Sequence, residues 1–321
     1  MLKLILNYLS GAAWARNIVQ HWDFARRTAS RFVAGETLDQ AVEAVQDLNH
    51  KGINATLDHL GENVSSSEEA HLAAEEILGI IDRLRAEGIR SGVSVKLSQI
   101  GLVIDPQLCE QNLLRILARA RELNIFVRVD MEDSFLTQAT LDVFRKAYKK
   151  GYQGFCGVAI QAYLLRSQRD VRDLLMDGCP IRLCKGAYKE PRTVAIPRKK
   201  DVDLNFDRLA ELMLDKSLEV NSRLGADGLI PPIPAIATHD QVRIENVLAY
   251  ADKIGLKKDN LEFQMLHGIR EDLQQQLVER GYPVRVYVPY GSEWYPYFVR
   301  RLAERPANLW FFLSNLLRPR T

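Results

Sequence analysis

Two adjacent arginines, Arg300 and Arg301, stand in the stretch VYVPYGSEWYPYFVRRLAERPAN among aromatic residues rather than among other charges. Helical spacing puts Tyr297, Arg300, Arg301 and Glu304 at i, i+3, i+4 and i+7, hence on one face, while Trp294, Phe298, Val299 and Leu302 form another that suits a core. Pro296 is tolerable only near the first turn of such a helix, and Arg305-Pro306 stops it. Paired guanidiniums in a dry setting suit an anion with planar oxygens, a carboxylate above all. Glu304 then holds the arginines in place. The plain alternative is a solvated, salt-bridged surface in which Glu304 merely pairs with Arg300.

Other residues able to do chemistry recur where β-rich runs end: Asp58 with Glu62, Lys96 with Ser98, Asp130 with Glu132, Gln161, Arg182 with Lys185, Thr238 with His239, Gln264 with His267, and Tyr287. Each has a bland reading alone. A lysine or aspartate at a strand end is often solvated, Gln161 or Thr238 could satisfy backbone groups, and His239 could be the neighbour of a helix cap in THD. Their joint occurrence points to a shared site. Lys96 or Lys185 could also form a Schiff base, the chemistry of a lysine-dependent barrel aldolase.

The runs that must position these groups are INATLDHLG, GVSVKLSQIG, IFVRVDME, GFCGVAIQ, PIRLCKGA, IPAIATHD, LEFQMLHG and PVRVYVPYG, eight in all. Helical patterns separate them, most ending near glycine, among them SEEAHLAAEEILGIIDRLRAEG and FDRLAELMLDKSLEVNSRLG. Strands separated by helices pair in parallel, and eight such units close into a (β/α)8 TIM-type barrel whose site lies at the C-terminal strand ends. An open doubly wound sheet is the rival, but no G-x-G-x-x-G follows any run and no G-x-x-x-x-G-K-[ST] occurs. Residues 1–48 form an N-terminal helical segment, with TLDQAVEAVQDLNHKG capped at Thr37 and stopped by Gly52, and residues 49–321 form the barrel. The longest irregular piece, KGAYKEPRTVAIPRKKDVDLN, follows the fifth strand and opens at the mouth; its PRKK reads as solvated loop.

Composition narrows the class. The chain has 321 residues, 47% hydrophobic and 26% charged, with a formal net charge of +2, which creates no field able to recruit nucleic acid. Small-molecule partners fit better. Cys109, Cys156, Cys179 and Cys184 show neither CxxC nor metal-type spacing, so a reducing cytoplasm is expected and no metal. Asn7 and Tyr8 interrupt the N-terminal apolar run, against a signal peptide, and no stretch approaches the roughly 20 apolar residues of a spanning helix.

SVKLSQIG, RVDME, IQAY, RLCKGAY, ATHD, EFQMLHG and VYVPYGSEWYPYFVRRLAERPAN together resemble the flavin-dependent proline dehydrogenase family in its short monofunctional bacterial form, over about residues 50 to 315. The resemblance implies a distorted (β/α)8 barrel that holds FAD at the strand ends and oxidises L-proline to Δ1-pyrroline-5-carboxylate, passing electrons to a membrane quinone. It implies that Arg300, Arg301 and Lys96 bind the substrate carboxylate. Asp130 lies near the pocket and its lysine, and Tyr287, Tyr297 and Leu266 wrap the proline ring with Tyr188 close by. On the flavin side it implies Gln161, Arg182 near N5, Lys185, Gly186 and Ala187 along the cofactor, and Thr238 with His239 beside its ribityl-diphosphate portion. Glu62 corresponds to an acid that pairs with an arginine when the site closes. The chain departs from the pattern at His267 (often aromatic), at Lys189 (frequently Trp) and at Val202-Asp203 (Thr-Asp). Transient membrane contact is expected through the amphipathic N-terminus or the LLRPR tail. A carboxylate-sensing binding protein on the same barrel is the non-catalytic alternative.

Overall fold

A computed structural model describes residues 29–61 and 64–304, with the last three given by their backbone alone. After helix α1 (Leu38–His50), strands and helices alternate: β1 (Asn54–His59), α2 (Ser67–Glu87), β2 (Ser91–Val95), α3 (Pro106–Glu122), β3 (Val127–Val129), α4 (Thr137–Lys149), β4 (Cys156–Gln161) and α5 (Ser167–Met176). There follow β5 (Ile181–Cys184), α6 (Lys199–Val220), β6 (Pro234–Ala237), α7 (Gln241–Ile254), β7 (Glu262–Leu266), α8 (Glu271–Glu279), β8 (Val284–Tyr290) and α9 (Trp294–Glu304). The eight strands pair in parallel in sequence order, and β8 closes on β1 from Asn54↔Arg285 to His59↔Tyr290. All eight β-rich runs are therefore strands of one closed barrel.

Local signals account for the helix ends. Thr37 caps α1 in a capping box with Gln40, and Gly52 follows at φ 77°. Ser66 and Asp240 cap α2 and α7, which end on Gly88 and Gly255 in the left-handed region. One boundary differs from the sequence expectation. Lys199–Asn205 belongs to α6 and not to the preceding loop. No glycine or proline follows Pro197 there, and Arg198–Asp201 (2.6 Å) and Lys199–Asp203 (2.5 Å) pairs support the first turns.

The distortion expected of this barrel lies at its seam. A regular barrel surrounds its strands with the helices that follow them. Here α1, preceding β1, packs against both β1 and β8 and buries Ala41, Val42, Val45 and Leu48 in the main core. α9 joins a second apolar cluster, where Trp294, Tyr295, Phe298 and Val299 meet Phe32, Leu60 and Ile269, with Leu266 and Tyr287 at its edge. Since Leu60 and Leu266 stand at the C-terminal ends of their strands, α9 lies across the mouth. Trp294 Nε1 donates to Glu36 Oε1 (3.1 Å), tying α9 to the segment that leads into α1. The expected division at residue 48 falls in the last turn of α1.

Long charged side chains fill much of the barrel interior, and small residues beside them make the room. Arg182 has Ala159 and Ala235 as register partners on either side, and Arg128 has Ser94 and Gly157. A Cβ at Gly157 would stand 2.4 Å from Pro180 O and 2.5 Å from Arg128 Nη1, the pair that forms a 2.8 Å hydrogen bond. Gly157→Ala is accordingly expected to lose about 2 kcal/mol of unfolding free energy through overpacking, measured by urea titration. An unchanged midpoint would contradict the crowding described.

Candidate active site

A cavity of about 550 Å³ opens at the C-terminal ends of the strands, and every strand or the residue just beyond it contributes to its wall. From the substrate side of the sequence expectation, Lys96, Asp130, Tyr188, Leu266, Tyr287, Tyr297, Arg300 and Arg301 all line it. From the cofactor side, so do Gln161, Arg182, Lys185, Gly186, Ala187, Thr238 and His239. Glu62 lies outside the described residues, and Glu304 belongs to α9 only by its backbone.

Arg182 is the most constrained of these. Its Nε donates to Gln264 Oε1 (2.6 Å), and its Nη1 donates to Asp130 Oδ1 (2.6 Å) and Ser94 Oγ (3.1 Å). Its guanidinium also lies 5.2 Å from the ring centre of Tyr287. Tyr287 in turn donates its hydroxyl to Asp130 Oδ2 (2.8 Å). Burial first, and then the neighbouring Asp130 and Asp58 carboxylates, push the Tyr287 phenol well above its ordinary range, so it stays a hydrogen-bond donor.

The sequence expectation placed Asp130 near the substrate pocket and its lysine, and both residues line the cavity. In the structure Asp130 bonds Arg182 and Tyr287, and the ammonium of Lys96 sits 2.6 Å from Asp58 Oδ1, with Tyr287 Oη 3.5 Å away. Asp58 lies beside Ser94 on paired strands, two residues before Lys96, while Asp130 follows Val129, the register partner of Val95; both carboxylates flank the lysine, and Asp130 is taken up by Arg182 and Tyr287. Burial raises the carboxyl of Asp58, an effect the Lys96 ammonium opposes. The sequence marked Asp58 only as a strand-end acid and assigned it no role.

Lys185 lines the cavity and is fixed by two carboxylates. Its ammonium bridges Asp203 Oδ1 (2.5 Å) and Asp240 Oδ2 (2.6 Å). Burial is the largest influence and works to raise both carboxyls, but the hydrogen bonds and charges of Lys185 and Lys199, with the Arg243 amide on Asp240, together hold them below the usual range. Asp203 is the residue retained at the variant Val202-Asp203 position. The THD segment serves the protein as well as the cavity. Thr238 Oγ1 accepts from the Asp240 amide (3.1 Å), Asp240 caps α7, and His239 Nε2 accepts from the Leu266 amide (2.9 Å). Gly186 has φ 107°, and a Cβ there would stand 2.1 Å from the Tyr163 ring, so packing alone requires glycine.

On α9, Trp294, Tyr295, Tyr297, Phe298 and Val299 are buried, and the Arg301 guanidinium lies 5.1 Å from the Tyr297 ring centre. A solvated salt-bridged face is thereby replaced by an apolar helix with two half-buried arginines on the cavity. Among the described strand-end groups three, Ser98, Glu132 and His267, do not line this cavity. Glu132 accepts from Ser98 (2.5 and 3.1 Å), and His267 lines a separate cavity beside α1, where burial lowers its pKa. Sequence reasoning missed Cys184, which lines the site with a thiol pushed up by burial to about 11, and gave no role to Gln264, held between Arg182 and Glu262.

The family profile described as proline dehydrogenase matches residues 41–312. The chain is 38% identical over 309 residues to proline dehydrogenase 2 of Bacillus subtilis strain 168, covering 96% of each, and 42% identical over 294 residues to a proline dehydrogenase of Deinococcus radiodurans, covering 90% of each. Its fold matches the crystal structure of proline utilization A (PutA) from Bdellovibrio bacteriovorus inactivated by N-propargylglycine, with a TM-score of 0.78 and 26% identity over 91% of this chain. The chain spans 34% of that longer protein.

The buried Lys96–Asp58 pair gives a stability test. Asp58→Asn removes the nearest counter-charge from an ammonium that is 8% exposed, and is expected to cost about 3 kcal/mol in urea unfolding. Adding Lys96→Met to Asp58→Asn should recover most of that loss. Equal stability of the single variant and the wild type would remove the pair from the account.

Proposed function

We propose, from the premise that this chain belongs to the proline dehydrogenase family and catalyses the first step of proline catabolism, that it oxidises L-proline to Δ1-pyrroline-5-carboxylate with FAD and passes the electrons to a quinone. The observation that carries the finer reading is the meeting of Lys96, Arg300 and Arg301, from opposite ends of the chain, on one cavity walled by Leu266, Tyr287 and Tyr297. The carboxylate is the strongly charged handle of proline, so these cations orient it while the apolar and aromatic wall takes the ring.

The cofactor side of the cavity fits a flavin. Its volume lies within the range of small-molecule sites, and Gln161 presents Oε1 as a buried acceptor without a hydrogen-bond partner among the described residues, suited to a ring N–H. Arg182 uses Nε and Nη1 within the protein, which directs Nη2 to the cavity. Gln161, Arg182, Lys185, Gly186, Ala187, Thr238 and His239 would hold the group, and FAD supplies a hydride acceptor at N5.

The chain's own residues then have separable tasks. Arg300, Arg301 and Lys96 bind the carboxylate, and the aromatic wall excludes water from the carbon that loses hydride. Asp130 fixes the guanidinium of Arg182, whose positive charge stabilises negative charge developing in the cavity. Tyr287 holds its proton toward Asp130 and presents a ring rather than a phenolate to the substrate. Glu62 would pair with an arginine as the site closes, and Glu304 would hold the arginines in place. The Schiff-base reading loses support because each candidate lysine is taken up by carboxylates, Lys96 by Asp58 and Lys185 by Asp203 and Asp240.

Among the described residues no helix is long and apolar enough to cross a membrane. We therefore favour a cytoplasmic protein that touches the inner membrane face transiently to meet its quinone, through the amphipathic N-terminus or the LLRPR tail, both outside the described residues. Residues 49–321 act as the catalytic unit in this reading and 1–48 as an N-terminal helical segment.

An anaerobic absorbance spectrum tests the proposal directly. The purified protein should be yellow, with a band near roughly 450 nm that bleaches with L-proline and not with D-proline. A protein that stays colourless after incubation with FAD refutes the flavin. Arg301→Met should raise KM for proline at least about tenfold while leaving flavin content unchanged, because it removes a charged bond to substrate alone. Equal loss of both would make α9 structural.

A further inference from the structure

Behind Arg182 a chain of hydrogen bonds runs along the inner face of β7 to the far end of the barrel. Arg182 Nε donates to Gln264 Oε1 (2.6 Å), Gln264 Nε2 donates to Glu262 Oε1 (2.7 Å), and Arg285 Nε donates to both carboxylate oxygens of Glu262 (2.9 and 3.1 Å). Arg285 ends the chain on backbone carbonyls, with Nη1 on Ala55 O (2.8 Å) and Nη2 on Gly228 O (2.8 Å). Glu262, Gln264 and Arg285 are 0%, 4% and 2% exposed, so none of these bonds competes with bulk water. On the neighbouring strand the register partners of Glu262 and Gln264 are Ala235 and Ala237, too short to come between them.

The chemistry of the three groups fixes the order of the chain. A guanidinium only donates and a carboxylate only accepts, so the Gln264 amide has one usable orientation, oxygen toward Arg182 and nitrogen toward Glu262. With Nε held by Gln264 and Nη1 by Asp130 and Ser94, the guanidinium plane of Arg182 cannot turn. The amide also acts as a spacer. Glu262 neutralises Arg285, while Arg182 meets a full negative charge at Asp130. A carboxylate at position 264 would meet Arg182 on a second side and cancel the charge it offers the cavity.

We infer that Gln264 is a positioning residue for Arg182, and that the order amide at 264, carboxylate at 262 keeps the positive charge of Arg182 available to the cavity. This rests on the flavin reading for its consequence but not for its geometry. The test is the exchange variant Glu262→Gln/Gln264→Glu, compared with each single change in the holoenzyme. The exchange keeps the donor-to-acceptor direction along the chain, giving up only the second contact of Arg285 Nε at position 262, while moving the carboxylate next to Arg182. It should melt closer to the wild type than either single variant, since it keeps the buried negative charge that Glu262→Gln removes and avoids the two adjacent buried carboxylates that Gln264→Glu creates.

The exchange variant should keep KM for proline within about twofold, lower kcat about tenfold, and shift the flavin midpoint potential to more negative values. Wild-type kcat and potential in the exchange variant would overturn the inference, as would an exchange that melts no higher than the weaker single variant. If the exchange does not fold, Gln264→Met decides, because it adds no charge and removes the tether on Nε together with the bond to Glu262, which keeps its two contacts with Arg285. Lower kcat with KM and flavin content retained supports the inference, and an unchanged kcat overturns it. A wild-type protein that takes up no flavin would refute the reading of the site instead, and the order of melting temperatures would still judge the chain.

Discussion

A guanidinium in the middle of a barrel is tolerable only when its donors and its charge are met, and the structure around the site follows from how Arg182 meets that demand. Its partners come from Ser94 on β2, Asp130 just beyond β3, Gln264 on β7 and the ring of Tyr287 on β8. These bonds cross the barrel rather than follow any one strand. They replace the layers of branched apolar side chains that would otherwise fill it. The alanines and glycine beside Arg182 and Arg128 belong to the same solution, since each long polar side chain needs a neighbour that yields space.

The second organising feature is the exchange of places between α1 and α9. With α1 covering the outside of β1 and β8, α9 is released to lie across the mouth. Its aromatic residues then find their core against Phe32, Leu60 and Ile269 at the rim, and its arginines reach the cavity from above while Lys96 reaches it from the barrel. Local packing thus converts two arginines that any surface helix could display into one wall of a site. The tie between Trp294 and Glu36 makes the N-terminal segment part of that wall's support.

Charge is distributed with the same economy. Asp58 and Asp130 stand close together at the mouth, yet each is turned to a different cation, Lys96 or Arg182, with Tyr287 touching both systems. Outside them Lys185 is confined between Asp203 and Asp240. The cavity therefore offers oriented positive charge backed by carboxylates, a setting in which an anionic substrate group is bound and a neutral amine is not repelled by bare charge. That balance suits oxidation next to nitrogen better than Schiff-base chemistry.

Much of this was legible without coordinates. Alternation of β-rich runs with glycine-ended helices is a local, periodic signal, so the eight strands, their parallel sense and the polar groups at their ends could be read directly from the residues. The helical spacing around Arg300 and Arg301 also predicted which face would be buried. What the sequence left open was which groups would meet. Lys96 pairs with Asp58 while Asp130, which the β2–β3 register also sets beside the lysine, is taken up by Arg182 and Tyr287, and Lys185 meets Asp240, 55 residues away, because β5 and the end of β6 lie side by side. The extension of α6 back to Lys199, the packing of α9 against Phe32, Leu60 and Ile269 and the Gln264 relay were equally invisible. Period and capping depend on neighbours a few residues apart, whereas these contacts depend on strand stagger and barrel closure, which only the assembled chain determines.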